Sequence, residues 1–422
     1  MATLPLGRDL WVVSNGHAED LLAAGLLARL RPLLAGWRFR ALPLVGDGRA
    51  YAAPRPDGGA PTVAARDVLG PRRRLPADGL TMHHPHLLWR DLRAGLLPVT
   101  WAQVRALRGG EADAVLVVGD VFAQGMAALL RPGPGPGPGP GPGPGPRRPR
   151  RFVVQPLVSV RMAESRGRVA WNRMFMERIR APERALLRRA EAVYARDEAT
   201  AAWLRARGVA ARFLGHPMMD HLAGARLEAW PDLPTVALLP GSRAYALEAI
   251  DTMLAALARL ADGGAALAAA VAWTRGPPPP LAPGWCEAPA TAGWPTWRRG
   301  GVLVAWVVDR FAEVLATADA VLGATGTAQE QAVGLGLPVV TFAVPPALGT
   351  AFLANQARLL GPSLEVAARD PATIAAAVRR ALHDPARRAF ARHDGPRRLG
   401  PPGGGAAIAA DIAARLAGPG AA

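Results

Sequence analysis

The chain has 422 residues, half of them hydrophobic, a formal net charge of +17 and one cysteine, Cys286. That length and apolar content suffice for two cores, and a lone cysteine excludes an internal disulfide framework and a cysteine-based zinc site. All 50 basic residues are arginine, scattered rather than gathered on one helix, so the charge favours phosphates or an acidic membrane surface and carries no nucleic-acid-binding signature.

Residues 1–8 lack the basic-then-apolar pattern of a signal peptide, and no apolar run reaches about 18 residues, so no membrane-spanning helix is predicted. The expected location is the cytoplasm, with peripheral contact with the membrane from inside. Leu10–Val13 is an apolar run ending in Ser14-Asn15-Gly16-His17. Glu19 and Asp20 follow, then Leu21, Leu22, Leu26, Leu27 and Leu30 at helical spacing. This predicts strand, turn and helix, with acids in the first helical turn, where the dipole favours them. Residues 39–45 read as the next strand and 52–79 as a loop rich in Pro and Gly. Between 87 and 97, Leu and Trp89 interleave with Arg90 and Arg93, a pattern that fits a core-facing helix or one lying on a lipid surface. Residues 114–118 form a buried strand ending at Gly119-Asp120, and 126–130 read as helical.

Gly and Pro alternate over 133–146. Pro has no N–H and Gly has too much freedom, so this tract predicts an exposed, disordered insertion leaning to polyproline II, without chemistry of its own. A strand at 152–154, a basic helix over 171–190 and a strand at 192–195 follow. Asp197 caps a helix ending near Gly208, and a strand at 211–214 runs into Gly215-His216-Pro217-Met218-Met219-Asp220. After a linker at 221–234 the elements alternate: strand 236–239, helix 246–260, strand 267–273, loop 275–300, strand 301–304, helix 310–317, strand 319–322, helix 328–335 and strand 338–342. A breaker cluster at 395–405 precedes a closing helix over 406–416.

Such alternation means a parallel sheet covered by helices on both faces. The predicted class is α/β, with two Rossmann-like doubly wound domains facing across a cleft. The first spans 1–222 and the second 223–395, and 396–422 form a tail with the closing helix. Ligands of such sheets lie beyond the carboxyl ends of the strands, where these small-residue turns fall.

Two turns in the second half suit a nucleotide-sugar. Pro240-Gly241-Ser242-Arg243 offers close backbone approach, a hydroxyl and a planar cation for a diphosphate. Gly323-Ala324-Thr325-Gly326-Thr327 makes a phosphate-compatible turn at a helix start, and Glu330 or Gln331 in the first helical turn could meet ribose hydroxyls. In the first half, His17 beside Asn15 and Gly16 is a candidate general base, because an imidazole titrates near neutrality. Asp120 is its competitor; as a strand-end acid it equally suits a helix N-cap. His83, His84 and His86 do not have zinc-site spacing, and His216 reads as a corner or cleft residue. No metal and no cofactor is expected.

These motifs resemble lipid-A-disaccharide synthase and the proteins related to that synthase. Ser14-Asn-Gly-His-Ala-Glu-Asp20, Gly215-His-Pro-Met-Met-Asp220, Leu239-Pro-Gly-Ser-Arg243 and Gly326-Thr-Ala through Pro338 carry the likeness, in the family's order. The resemblance implies a GT-B glycosyltransferase that transfers a sugar from a UDP-diacylglucosamine donor to an acylated glucosamine phosphate at the inner face of the cytoplasmic membrane, inverting its configuration and releasing UDP. It places Arg243 at the donor phosphate and Asp120 near the acceptor. Two features depart from the family. Its acid after Gly-Thr-Ala aligns with Gln331, whereas here Glu330 stands one residue earlier. The first turn has Asn-Gly-His where the synthase has Gly-Glu-Ala-Ser-Gly. Both leave the fold intact.

The resulting expectation is an inverting, metal-independent transferase with a UDP-sugar donor and a lipid or glycolipid acceptor, and with His17 preferred to Asp120 as base. A UDP-N-acetylglucosamine 2-epimerase-like isomerase and a non-catalytic UDP-sugar- or lipid-binding protein are the alternatives.

Overall fold

The computed structural model describes residues 8–53, 60–71, 85–133, 148–164, 178–222, 224–243, 245–345 and 348–417. His83, His84 and the Gly-Pro tract beyond Gly133 lie outside these. So does the first part of the helix expected over 171–190, of which Ala181–Leu187 is helical. The chain forms two compact units, residues 1–217 with 403–422, and residues 218–402. The division falls at 217/218 rather than 222/223, and the end of the chain belongs to the first unit.

In the first unit the strands of the main sheet are β1 (Asp9–Ser14), β2 (Arg38–Pro43), β3 (Ala114–Val118), β4 (Arg150–Gln155), β5 (Ala192–Ala195) and β6 (Ala211–Arg212). They form one parallel sheet in the order β2-β1-β3-β4-β5-β6. Successive strand residues serve opposite faces. Leu10, Val12, Leu116 and Phe152 pack with Leu26, Leu27 and Leu30 of helix α1 (His17–Leu33). Trp11, Val13, Val115 and Val153 pack on the other face, under helices that include α2 (Leu96–Gly109), α3 (Val121–Ala127), α4 (Ala181–Leu187) and α5 (Glu198–Arg205). The last helix of the chain, Gly404–Ala417, returns to this unit: Ile408, Ile412 and Leu416 join the core of α1. Asp411 on that helix accepts hydrogen bonds from Tyr194 (2.7 Å) and Arg212 (2.8 Å).

The second unit holds β7 (Thr235–Leu239), β8 (Leu267–Trp273), β9 (Cys286–Thr291), β10 (Trp294–Arg299), β11 (Val302–Val308), β12 (Ala320–Gly323), β13 (Val339–Thr341) and β14 (Leu364–Val366). Their order is β9-β10-β11-β8-β7-β12-β13-β14. From β11 to β14 the sheet is parallel. Its helices include α6 (Ala246–Asp262), α7 (Thr327–Gly334), α8 (Thr350–Leu360), α9 (Pro371–His383), α10 (Pro385–Leu399) and, back in the first unit, the last helix is α11.

Two segments differ from expectation. The loop expected over 275–300 contains the antiparallel hairpin β9–β10, turned at Gly293. Pro289 and Pro295 look like breakers, but one lies on the edge strand and the other near a strand start, where a missing N–H is tolerated. Trp297 anchors the hairpin on Trp306 with ring centroids 4.7 Å apart, and Trp306 meets Trp273 at 5.1 Å. The breaker cluster from 395 is also helical at its start, since α10 runs through Pro396 to Leu399. Gly395 there sits so close to the Val333 carbonyl of α7 that any side chain would clash.

Candidate functional site

Each sheet reverses its direction of winding at one place, the position at which open α/β sheets bind their ligands. In the first unit that place is between β1 and β3, where Ser14 pairs with Val118. In the second it is between β7 and β12, where Leu239 pairs with Gly323. The sequence-predicted residues cluster at these two points.

Asn15 and Asp120 meet at the first point. Asn15 Nδ2 donates to Asp120 Oδ1 at 2.6 Å, and the same oxygen caps α3 by accepting from the amides of Phe122 (2.9 Å) and Ala123 (3.4 Å). Gly119, at φ 146°, has no room for a side chain beside Asn15. Desolvation pushes the Asp120 carboxyl above the usual range, against the pull of these donors. Gly16 precedes α1 and lies beneath the Glu19 carboxylate, so a Cβ there would collide with it. His17 opens α1 with its ring against Gly46, where a Cβ would come within 2.7 Å of Cε1. His216 lies instead beyond the end of β4, buried, with Nε2 3.5 Å from the Pro156 carbonyl oxygen.

The sequence reading missed the buried carboxyls around this point. Ser14 Oγ donates to Asp20 Oδ1 at 2.5 Å and lies 2.6 Å from the hydroxyl of Tyr51. Burial pushes Asp20 up to about 7, and it raises Glu19 as well. Glu183 on α4 accepts from Gln155 (2.8 Å) and Gln124 (3.1 Å), and burial pushes it up to about 7. Carboxyls so placed can take up protons near neutrality.

At the second point the two predicted turns touch. A Cβ on Gly241, whose φ is 91°, would lie 3.4 Å from Thr325 Cγ2 and 3.3 Å from the Tyr245 hydroxyl. Ser242, Arg243 and Thr327 are exposed, and Gly326 stands at the N-cap of α7. The Arg243 carbonyl accepts from Arg275 at 2.8 Å, which brings a second guanidinium to this turn. Thr325 Oγ1 is buried without a hydrogen-bond partner. Packing treats Glu330 and Gln331 differently. Glu330 is buried and accepts from Gln356 on α8 at 3.0 Å, whereas Gln331 points elsewhere and donates to the Met218 carbonyl at 2.8 Å. Thr325 belongs to the turn predicted over 323–327, whereas Arg275 and Gln356 were not legible in sequence, since nothing local distinguishes them.

No family model and no curated protein matches the chain. Solved structures do. MurG of Acinetobacter baumannii aligns with 97% of this chain and 99% of its own, at a TM-score of 0.54 and 13% identity. The calicheamicin glycosyltransferase CalG4 aligns over 99% and 100%, with a TM-score of 0.54 and 16% identity. The UDP-GlcNAc 2-epimerase of Neisseria meningitidis, solved with UDP-GlcNAc, aligns over 97% and 100%, with a TM-score of 0.52 and 12% identity.

The fold is GT-B. The chain carries its two Rossmann-like units, as the strand alternation predicted, and the neighbours on this fold are both glycosyltransferases and epimerases. Among the described residues no helix is long and apolar enough to cross a membrane.

Proposed function

We propose that the protein is an inverting, metal-independent glycosyltransferase. It moves a sugar, an N-acetylglucosamine-type unit, from UDP to a lipid or glycolipid acceptor in the manner of lipid-A-disaccharide synthase. The observation that carries this reading is the contact between the Gly241 and Thr325 turns at the switch point of the second unit. It sets the turn that carries Ser242 and Arg243 beside the one that leads through Gly326 into Thr327 and the N-terminus of α7, with Glu330 one helical turn further on.

In this reading the diphosphate lies on the second unit, against Arg243 and the amides around Gly326, and the ribose meets Glu330. The acceptor belongs to the first unit, beside Asn15, Gly16 and Asp120. The acceptor oxygen attacks the anomeric carbon, the bond from that carbon to the UDP oxygen breaks, and the acceptor proton passes to a base. Asp120 suits that role better than His17, because three donors fix its carboxyl while burial raises its proton affinity. Charge developing on UDP is met by Arg243 and oriented N–H groups.

A lipid acceptor is supported by α2. Leu97 and Trp101 are 67% and 65% exposed, and Arg105 and Arg108 continue the same stripe of the helix. Trp89 just before it is 67% exposed. Apolar side chains beside arginines suit peripheral binding to an anionic lipid surface.

The test is to incubate the protein with a panel of UDP-sugars and a lipid extract and to weigh the lipids by mass spectrometry. Gain of one hexose or hexosamine on a lipid, with release of UDP, is expected. The second reading, a 2-epimerase, draws on the epimerase neighbours and on the buried acids near Asp120. Conversion of the UDP-sugar to its epimer without any acceptor would replace the transferase assignment.

A further inference from the structure

The Glu330 carboxylate is not left to find its own orientation. Gln356 lies one turn from the end of α8 and is 4% exposed. Its Nε2 donates to Glu330 Oε1 at 3.0 Å. The same helix places Phe352, one turn earlier, against Gly326: a Cβ there would sit 3.3 Å from Phe352 Cζ. Thus α8 is laid over the start of α7, and Gln356 is the group on it that addresses the acid.

The other end of the Gln356 amide is informative. Its Oε1 is buried and has no hydrogen-bond partner. Buried amide oxygens are nearly always paired. A flipped amide would place its oxygen against the carboxylate, so the observed orientation is the one charge permits. An apolar residue of the same shape would fill this space without an orphaned oxygen. The amide is therefore better explained by what its N–H does to Glu330 than by packing.

We propose that Gln356 is a positioning residue that locks the Glu330 carboxylate for a vicinal diol, the ribose of the nucleotide, and so confers ribose selectivity on the second unit. This rests on the assignment of that unit to a UDP-sugar. The lock matters because a carboxylate that must be immobilised on binding loses rotamer freedom, whereas one already held does not.

The experiment compares the binding of UDP and of 2′,3′-dideoxy-UDP by calorimetry, in the wild type and in Gln356→Met, which keeps the volume and removes the N–H. The wild type is expected to prefer UDP by roughly 10–100-fold, the range for hydrogen bonds to a charged group. Gln356→Met is expected to lose most of that preference and to bind the dideoxy analogue as the wild type does, which also reports that the site is folded. Glu330→Gln should lose the preference too, and the double variant should lose no more than either single one. A Gln356→Met protein that keeps the wild-type preference overturns the proposal, as does one that weakens equally toward both ligands. A wild type that binds UDP no better than the dideoxy analogue overturns the ribose assignment of Glu330 beneath it.

Discussion

Asn15 holds Asp120 by a 2.6 Å hydrogen bond between the ends of two adjacent strands. That bond favours the charged carboxyl, while burial opposes it. Removing it in Asn15→Ala should therefore raise the Asp120 pKa further. The acidic limb of the kcat/KM profile is expected to move to higher pH, and Asp120→Asn to slow turnover by roughly 10²–10⁴-fold with UDP affinity unchanged. Unaltered turnover in Asp120→Asn would remove this residue from the role of base.

Arg243 acts on the other substrate. Arg243→Ala is expected to weaken UDP binding by roughly 10–100-fold, the value of a charge-assisted hydrogen bond. Arg243→Lys should recover only part of it, because an ammonium lacks the planar fork. Calorimetric titration with UDP measures both.

Glu183 gives stability a pH dependence of predictable sign. Its carboxyl is at about 7 in the folded protein, above the ordinary 4.5, so the folded state binds the extra proton between these values. Stability is fully present below about pH 4 and falls as pH rises through about 7. Glu183→Gln keeps the acceptor for Gln124 and Gln155 and cannot ionise. It should match the wild type at pH 4 and exceed it at pH 8 by up to about 3 kcal/mol, as read by urea unfolding at the two pH values.

Deleting residues 403–422 should cost far more than a tail. Ile408, Ile412 and Leu416 are at most 4% exposed, and each contributes about 1.5–3 kcal/mol of burial. That sum rivals the whole stability of a domain, about 5–15 kcal/mol. The truncated chain is expected to lose the cooperative unfolding of the first unit, seen by circular dichroism.

The exposed stripe on α2 makes a membrane prediction. Wild-type protein should sediment with anionic vesicles and be released by salt. Leu97→Ser with Trp101→Ser should cut binding at least about tenfold while leaving UDP affinity alone. Equal sedimentation of the variant would exclude this stripe as the contact.

The switch-point turns were readable in sequence because each is short, local and preceded by an apolar run: Val236–Leu239 before Gly241, and Ala320–Leu322 before Gly323. What was hidden depends on distant partners. Glu183 is notable only once Gln124 and Gln155 surround it, and Asp20 only once Ser14 and Tyr51 do. The family's acid register pointed to Gln331, but packing of α8 on α7 gives Glu330 the buried, partnered position. Hairpin β9–β10 was disguised by its two prolines, and α10 by Pro396 and by Gly395, which lets the backbones of α10 and α7 approach.

The return of α11 sets an order for biogenesis. Residues 218–402 are contiguous, so the second unit can close as soon as they leave the ribosome. The first unit, although synthesised earlier, must wait with the α1 face of its sheet incompletely covered until residues 404–417 emerge. Completion of the first unit thus depends on a segment made after the second, unlike the usual case in which an N-terminal domain folds from contiguous sequence.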